Sequence, residues 1–312
     1  MTDRFTDIYK FCSELLFSKG GDNMHSSFNC LFQHATLNIV EFDINSRKEM
    51  KTFKRTTPYY IMSYHKKGEA KLRIGETVHS ITPGTVILIP PHVEHDHFKE
   101  SEDDTTFFWC HFTYDIGNVI DVLTIFNIPI ISKIKNSEEF ERVFMQYKEL
   151  MIDLNFLSST ILKKAKEYEI LYLFLKNVLT NHSQNYFEEV EKSEGFLGML
   201  CEIIQHPEQR LSLTSLSNKY HLHPTYISNR FKELFGLSPI QIQRELRINR
   251  AKTLLKTSEM SIAEIAELVG FNEAPNFTRL FKSYVGISPT QFRNLNERWS
   301  NEEGVLKVSK SD

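Results

Sequence analysis

The sequence predicts an α+β protein: an N-terminal antiparallel β-barrel, a pair of helices, and a C-terminal all-α region. Three observations support this class. Short runs of alternating side-chain character, rich in β-branched and aromatic residues, fill residues 28–114, and apolar residues at helical spacing follow over 115–182. One sequence segment near the C-terminus occurs twice, 50 residues apart. With 312 residues, the chain is long enough for two domains that each bury a core.

The region 28–114 consists of short runs rich in β-branched and aromatic residues, separated by turn signals. The run 85–89 (TVILI), for example, lies between Pro83-Gly84 and Pro90-Pro91. Many short strands at regular spacing favour an antiparallel sandwich or barrel. Upstream, residues 3–18 keep helical spacing, which predicts a short amphipathic helix covering the barrel.

One stretch of this region has a Gly–Pro–His spacing that is more specific than the general strand pattern. Gly84 is followed after five residues by Pro90, and His95 lies five further on. This pattern resembles the second motif of the cupin jelly roll, which implies a barrel with an internal pocket. Metal-binding cupins carry a His-x-His pair and a Glu on an earlier strand, and residues 55–60 supply none of these. We therefore expect no metal and no cofactor, and a small polar organic ligand fits the pocket better.

Residues 115–182 are predicted to be helical, with two amphipathic helices joined by residues 155–159 as an antiparallel pair. The second helix has a wide apolar stripe, which either packs inside its own domain or is shared with a second chain as a dimer interface. Residues 183–195 are polar and acidic and are predicted to be a linker. The predicted division is 1–114 (barrel with its N-terminal helix), 115–182 (helical dimerisation segment of the same domain), 183–195 (linker), 196–299 (C-terminal domain) and 300–312 (flexible tail).

The repeated phrase defines the C-terminal region. Residues 231–241 return as 281–291, and 212–217 matches 261–266. Each copy predicts two short helices around a tight turn: 213–220 with 224–235, and 262–269 with 273–285. A long helix over 239–256 lies between the copies. Two short helices around a tight turn form a helix-turn-helix, whose second helix can lie in the major groove of DNA.

Charge and cysteine content agree with a DNA-binding module in a reducing compartment. Residues 206–299 hold 13 Lys/Arg and 8 Asp/Glu, a net +5, which leaves −8 for the rest of a chain with net charge −3. A basic module on an acidic body favours a polyanionic partner for that module. The cysteines fit no metal or disulfide spacing, so reduced core thiols are expected. We expect neither a signal peptide nor a spanning helix, and a cytoplasmic location. The four cysteines are Cys12, Cys30, Cys110 and Cys201.

The C-terminal motifs also resemble a known family. They comprise Arg247 with Ala251, the run Ser261-Ile262-x-Glu264-Ile265-Ala266 ending at Gly270-Phe271, and the phrase from Phe277 to Pro289. This signature resembles that of the AraC/XylS family of bacterial transcription regulators. The resemblance implies a DNA-binding regulator rather than an enzyme, with two helix-turn-helix units entering successive major grooves on one face of DNA. The barrel matches the ligand-sensing domain of the arabinose-regulator branch more loosely.

The family pattern assigns DNA contacts to both second helices. Arg279 can pair with guanine and Asn229 with adenine. Phosphate contacts set register and salt dependence but carry no sequence information. The expected base contacts are Thr225, Ser228, Asn229, Ala274, Pro275, Thr278 and Arg279, and the expected phosphate contacts are Arg230, Lys232, Lys282 and Arg293.

Resemblance to the arabinose-binding pocket also implies ligand-binding residues. Trp109 could stack on a sugar ring, or it could be an ordinary core aromatic. The implied set is Arg55, Tyr60, His95, His97, Phe107 and Trp109.

These observations predict a homodimeric regulator whose barrel senses a small molecule and repositions the two DNA-binding units. Activation of transcription is favoured, and the residues themselves leave repression open. A sugar is one candidate effector, and RNA polymerase is a candidate partner. A regulator whose barrel serves only for dimerisation is the alternative, and a cupin-type metalloenzyme is a remote one.

Overall fold

A computed structural model describes residues 22–126, 128–151, 156–181 and 193–295. Within these ranges the chain divides into two compact units. The barrel unit comprises 36–115 and 122–181, and the helical unit comprises 22–35, 116–121 and 193–295. No helix in this described part of the chain is both long and apolar enough to cross a membrane.

The barrel unit contains two antiparallel sheets. The larger has the strand order β1-β8-β3-β6-β10 with β9 beside β8, and the smaller has the order β2-β7-β4-β5. The strands are β1 Thr36–Arg47, β2 Lys51–Arg55, β3 Tyr60–Lys67, β4 Ala70–Ile74, β5 Thr77–Ile81, β6 Thr85–Ile89, β7 His95–Phe98, β8 Thr105–Ile116, β9 Ile120–Asp121 and β10 Ile131–Lys133. Residues 116–121, which include the last residue of β8 and the whole of β9, belong to the helical unit.

The inner faces of the two sheets share one apolar core. Ile61 and Phe107 of the larger sheet pack with Leu72 and Ile81 of the smaller. Because side chains alternate along a strand, the intervening residues of the larger sheet face the other way. The predicted antiparallel barrel is confirmed. Strands continue to Lys133, however, so the prediction that residue 115 starts an all-helical segment was wrong.

The outer face of the larger sheet is covered by two helices, α2 (Ser137–Leu150) and α3 (Phe156–Asn181). Tyr64 packs edge-on against Phe140, and its hydroxyl donates to Glu141 at 2.6 Å. Asn177 links α3 to the sheet, since its Nδ2 donates to the carbonyl of Lys133 in β10 at 2.5 Å. The predicted helical pair is present, and residues 152–155 of its joining loop lie outside the described ranges.

The helical unit starts with α1 (Asp22–His34), which packs against α4 (Glu194–Gln205). This corrects two expectations, that residues 28–34 begin the strands and that everything before 114 belongs to the barrel domain. The physical reason is burial: Phe28 and Leu31 of α1 lie in the same unit as α4. The helix predicted at 3–18, the body of the linker and the C-terminal tail fall outside the described residues.

Five further helices complete this unit, and a last one begins at Pro289 and reaches at least Leu295. Cys30, Cys110 and Cys201 are buried free thiols, as expected, whereas Cys12 lies outside the described ranges. The five helices are α5 Leu213–Tyr220, α6 Pro224–Phe235, α7 Pro239–Thr257, α8 Ile262–Leu268 and α9 Ala274–Val285.

Candidate nucleic-acid interface and ligand site

Two helix-turn-helix modules lie in the helical unit. The first module is α5 with α6, the second is α8 with α9, and α7 joins them. Ser212 and Ser261 begin the first helix of each module with a capping box. In this arrangement the Ser side chain accepts from a backbone N–H that has no partner within the helix. The two modules therefore form from the same local signals, as the repeat predicts.

The second helix of the first module, α6, presents a small polar face. Ile227 and Phe231 are fully buried, which leaves Thr225 and Asn229 exposed and Ser228 half-buried. The cap is unusual, because Nδ1 of His223 accepts the backbone N–H of Thr225 at 3.3 Å. The three predicted base-contact residues are thus on the accessible side of α6.

The second helix of the second module, α9, buries Phe277 and Phe281. Pro275 and Arg279 are exposed, and Ala274 and Thr278 are half-buried. Sequence reasoning missed Asn276, which is exposed and accepts a hydrogen bond from Arg279 Nη2 at 2.5 Å. Its signal was the spacing, because residues three apart on a helix are neighbours. Asn276 in turn donates to Glu273 Oε2 at 3.1 Å, so a polar chain runs along α9 and holds Arg279.

The four predicted phosphate contacts differ in exposure and in the partners that they have within the protein. Lys232 and Lys282 are exposed near the ends of α6 and α9. Arg230 is half-buried and forms an ion pair with Glu233 at 2.7 Å. Arg293 is half-buried, its Nη2 donates to the carbonyl of Met260 at 2.6 Å and its Nε is buried, so its phosphate contact stays a prediction. Because the guanidinium is tied to a loop of its own module, Arg293 stabilises the packing there.

The barrel interior holds a cluster of buried polar atoms. Ser63 and His65 lie two and four residues after the core residue Ile61 on β3, so their side chains share its inward face. His97 on β7 and Trp109 on β8 face the same space, since they pair with Leu72 and Ser63 respectively. Among the residues that the structure describes, Ser63 Oγ, both ring nitrogens of His65, His97 Nε2 and Trp109 Nε1 are buried without a hydrogen-bond partner.

Both imidazoles of this cluster are neutral at pH 7. Burial lowers the pKa of His65 to about 4. Burial, followed by the neighbouring His65, lowers the pKa of His97 to about 3. Their ring centroids lie 5.3 Å apart, and the Phe107 ring stacks on His65 at 5.9 Å. Buried polar groups are normally paired, so a cluster of unpartnered ones is a candidate binding site for a ligand or ordered water. Sequence reasoning missed Ser63 and His65, because the face on which they lie depends on the register of β3 in the folded sheet.

The other predicted ligand residues are Arg55, His95 and Tyr60. Arg55 Nη2 donates to His111 Nε2 at 3.2 Å, and His111 Nδ1 donates to Glu41 at 2.8 Å, so these three side chains form a hydrogen-bonded row. His95 is buried, and its Nδ1 donates to the carbonyl of Val93 at 3.0 Å. Tyr60 corrects the prediction, because it stacks on Phe112 at 5.3 Å on the opposite face of the sheet from Ile61.

No group of three or more His, Cys, Asp or Glu side chains with suitable geometry occurs in the part of the chain that the structure describes.

A β-barrel with a buried polar cluster beside its apolar core, in one chain with two helix-turn-helix modules, is typical of a ligand-binding domain combined with a DNA-binding domain. Residues 45–171 match the family model of the AraC-like ligand binding domain, and residues 216–295 match that of a helix-turn-helix domain. The chain belongs to the AraC/XylS family of transcription regulators. Its helix-turn-helix domain binds DNA.

Similar proteins are transcription regulators of bacteria. YisR of Bacillus subtilis, an uncharacterized HTH-type transcriptional regulator, is 26% identical over 78% of this chain and 89% of its own length. The Msm operon regulatory protein of Streptococcus mutans is 24% identical over 75% of this chain and 84% of its own. The arabinose operon regulatory protein of Escherichia coli is 33% identical, over 31% of this chain and 34% of its own.

Proposed function

We propose that a small, uncharged polar molecule binds inside the barrel and controls how the two modules engage DNA. The observation that carries this proposal is the set of buried, unpartnered polar atoms on Ser63, His65, His97 and Trp109. An unsatisfied buried polar group costs about 1–3 kcal/mol, so a ligand that pairs with several of them gains affinity.

The chemistry of the cluster defines the effector class. Two neutral imidazoles and a hydroxyl each offer a donor and an acceptor, and the indole offers a donor. A hydroxyl-bearing molecule satisfies both kinds of group, and the Phe107 and Trp109 rings provide apolar faces for its carbon skeleton. A monosaccharide or similar polyol therefore fits better than a charged metabolite, because His65 and His97 carry no charge at pH 7.

On the DNA side, we propose that α6 and α9 enter successive major grooves on one face of the duplex. Arg279, Asn229, Ser228 and Thr225 are accessible on these helices, and Asn276 joins them as a further contact. The protein acts as a homodimer in the cytoplasm, and activation through RNA polymerase is the expected output. The exposed Ile161 and Leu162 on α3 support dimerisation, at 67% and 48% exposure.

Thermal unfolding of the full-length chain against a panel of neutral sugars, polyols, sugar acids and amino acids tests the sensor. A neutral polyol is expected to raise the melting temperature of the wild type, and His65→Leu should abolish that shift. Ser80→Ala, an exposed change on β5, is the matched control and should keep the shift. Stabilisation by acids alone would contradict the effector class, and no stabilisation by any compound would favour a barrel that serves only for dimerisation.

A further inference from the structure

The guanidinium of Arg247, midway along α7, lies where three parts of the helical unit meet. Its Nε donates to the carbonyl of Pro207 at 2.5 Å, and its Nη2 donates to those of Glu208 and Gln209 at 3.0 and 2.8 Å. Its Nη1 donates to the carbonyl of Gly270 at 2.9 Å. One side chain on the connecting helix thus binds four backbone carbonyls on two separate loops.

These two loops belong to different modules. Residues 207–209 lead from α4 into α5, the first helix of the first module. Gly270 lies in the turn between α8 and α9 of the second module. The turn also lies directly against the first loop, since a Cβ on Gly270 would clash with the carbonyl oxygen of Glu208. The guanidinium of Arg247 additionally lies 5.4 Å from the ring centroid of Phe271 in the same turn.

We propose that Arg247 is a positioning residue for DNA recognition, which fixes the second module relative to the first and so sets the half-site spacing that the protein accepts. This clamp adds four hydrogen bonds to the connection that α7 and the close approach of Gly270 to Glu208 provide. The inference rests on the proposal that both modules bind one duplex.

The geometry explains why arginine is required. A planar guanidinium with five N–H donors can bridge several carbonyls at once, whereas a lysine ammonium is a compact group on a flexible stem. Arg247→Lys keeps the charge and the apolar stem but cannot reach both loops in the same way. Gln243 supports the same arrangement one turn earlier, with its Nε2 donating to the Gln209 carbonyl at 2.7 Å. Gln243→Leu is therefore a second, milder variant.

Rigid linkage determines how much the second half-site adds to affinity. Once one module is bound, a fixed partner module binds at a high effective concentration, and a loosened one does not. We expect Arg247→Lys to bind a two-site duplex about 10–100-fold more weakly than the wild type, with unchanged affinity for a duplex that carries one half-site. Gln243→Leu should show the same pattern with a smaller loss.

The probe is a duplex selected from a random-sequence pool by the wild-type, full-length protein, with two derivatives in which one footprinted half-site is scrambled. Fluorescence anisotropy at one fixed salt concentration gives the affinity for each. A spacing series adds or removes one base pair between half-sites, which lie about 10 base pairs apart when both face one side of DNA. The wild type should lose affinity steeply at altered spacing, and Arg247→Lys should lose less.

Arg250→Lys is the control, because Arg250 contacts the same loop only through an exposed ion pair with Glu208 at 3.5 Å. It should behave as the wild type on every duplex. An equal loss by Arg247→Lys on one-site and two-site duplexes, or unchanged binding and spacing preference, would overturn the proposal. If scrambling one half-site leaves wild-type binding unchanged, two-module binding itself fails. That outcome is distinguishable, since it appears without any substitution.

Discussion

Acidification provides a quantitative test of the buried imidazole cluster. His65 is fully buried, and burial lowers its pKa to about 4, against about 6.5 for a free imidazole. In the unfolded chain this residue takes up a proton as the pH falls below about 6.5, while in the folded barrel it stays neutral until about pH 4. The contribution of His65 to stability is therefore complete above pH 6.5 and is lost as the pH falls through this window.

The expected loss of stability follows from the pKa values of His65 in the folded and the unfolded chain. Between pH 7 and pH 5 the folded state loses about 2 kcal/mol through His65 alone. His97 adds a change of the same sign and of similar size, because its pKa of about 3 also keeps the folded-state imidazole neutral between pH 7 and pH 5. The Leu of His65→Leu does not titrate, so about 2 kcal/mol of the pH effect should disappear. At pH 7 the variant should be more stable by about 1–3 kcal/mol, because an unpartnered buried polar group is removed.

The measurement is urea unfolding at pH 7 and pH 5, followed by the fluorescence of Trp109 in a Trp299→Phe background. This background leaves one tryptophan, in the barrel unit, since the chain has two. Ser63→Ala is the control, as it alters the same buried cluster without a titrating group. Equal pH sensitivity of the wild type and His65→Leu would refute the reasoning, as would a wild type of equal stability at both pH values.

Three further predictions concern the DNA-binding helices and the dimer. Arg279→Ala should cost more sequence discrimination than Asn229→Ala, by about 1–3 kcal/mol for a lost bidentate base contact. A competition assay that shows equal losses of affinity on specific and random duplexes for Arg279→Ala would contradict this. His223→Ser should raise the stability of the first module by about 0.5 kcal/mol, because serine is a preferred cap; a lower melting temperature would show that the imidazole contributes more than the cap. Ile161→Glu should shift the protein from dimer to monomer in sedimentation equilibrium, whereas Glu169→Gln on the same helix should not. A dimer that persists with Ile161→Glu would mean that the interface lies elsewhere.

Sequence patterns were most accurate in the C-terminal region. The predicted bounds of α5 and α6 match the structure, and those of α7, α8 and α9 differ by one residue. Local signals decide these bounds: serine caps at Ser212 and Ser261 start helices, and glycines at 236 and 286, both with positive φ, end them. The assignment of residues 28–34 failed because packing against α4, rather than local propensity, makes this segment helical.

The ligand residues were harder to predict, because burial within a barrel depends on strand register. The sequence placed His97, Phe107 and Trp109 in the barrel, and the structure brings them together. It could not show that Tyr60 lies on the outer face while Ser63 and His65 face inward, since a shift of one residue reverses every side chain of a strand.

By itself, the sequence determined the class of this protein: a barrel, a helical pair and two copies of a DNA-binding module whose helices begin and end at local signals. Only the tertiary structure decided which polar groups are left unpartnered in the barrel and which arginine joins the two modules. The physical reason is that caps and periodicity act over a few residues. The partners of Arg247, by contrast, lie 23 to 40 positions away in the chain and meet only when the helices pack.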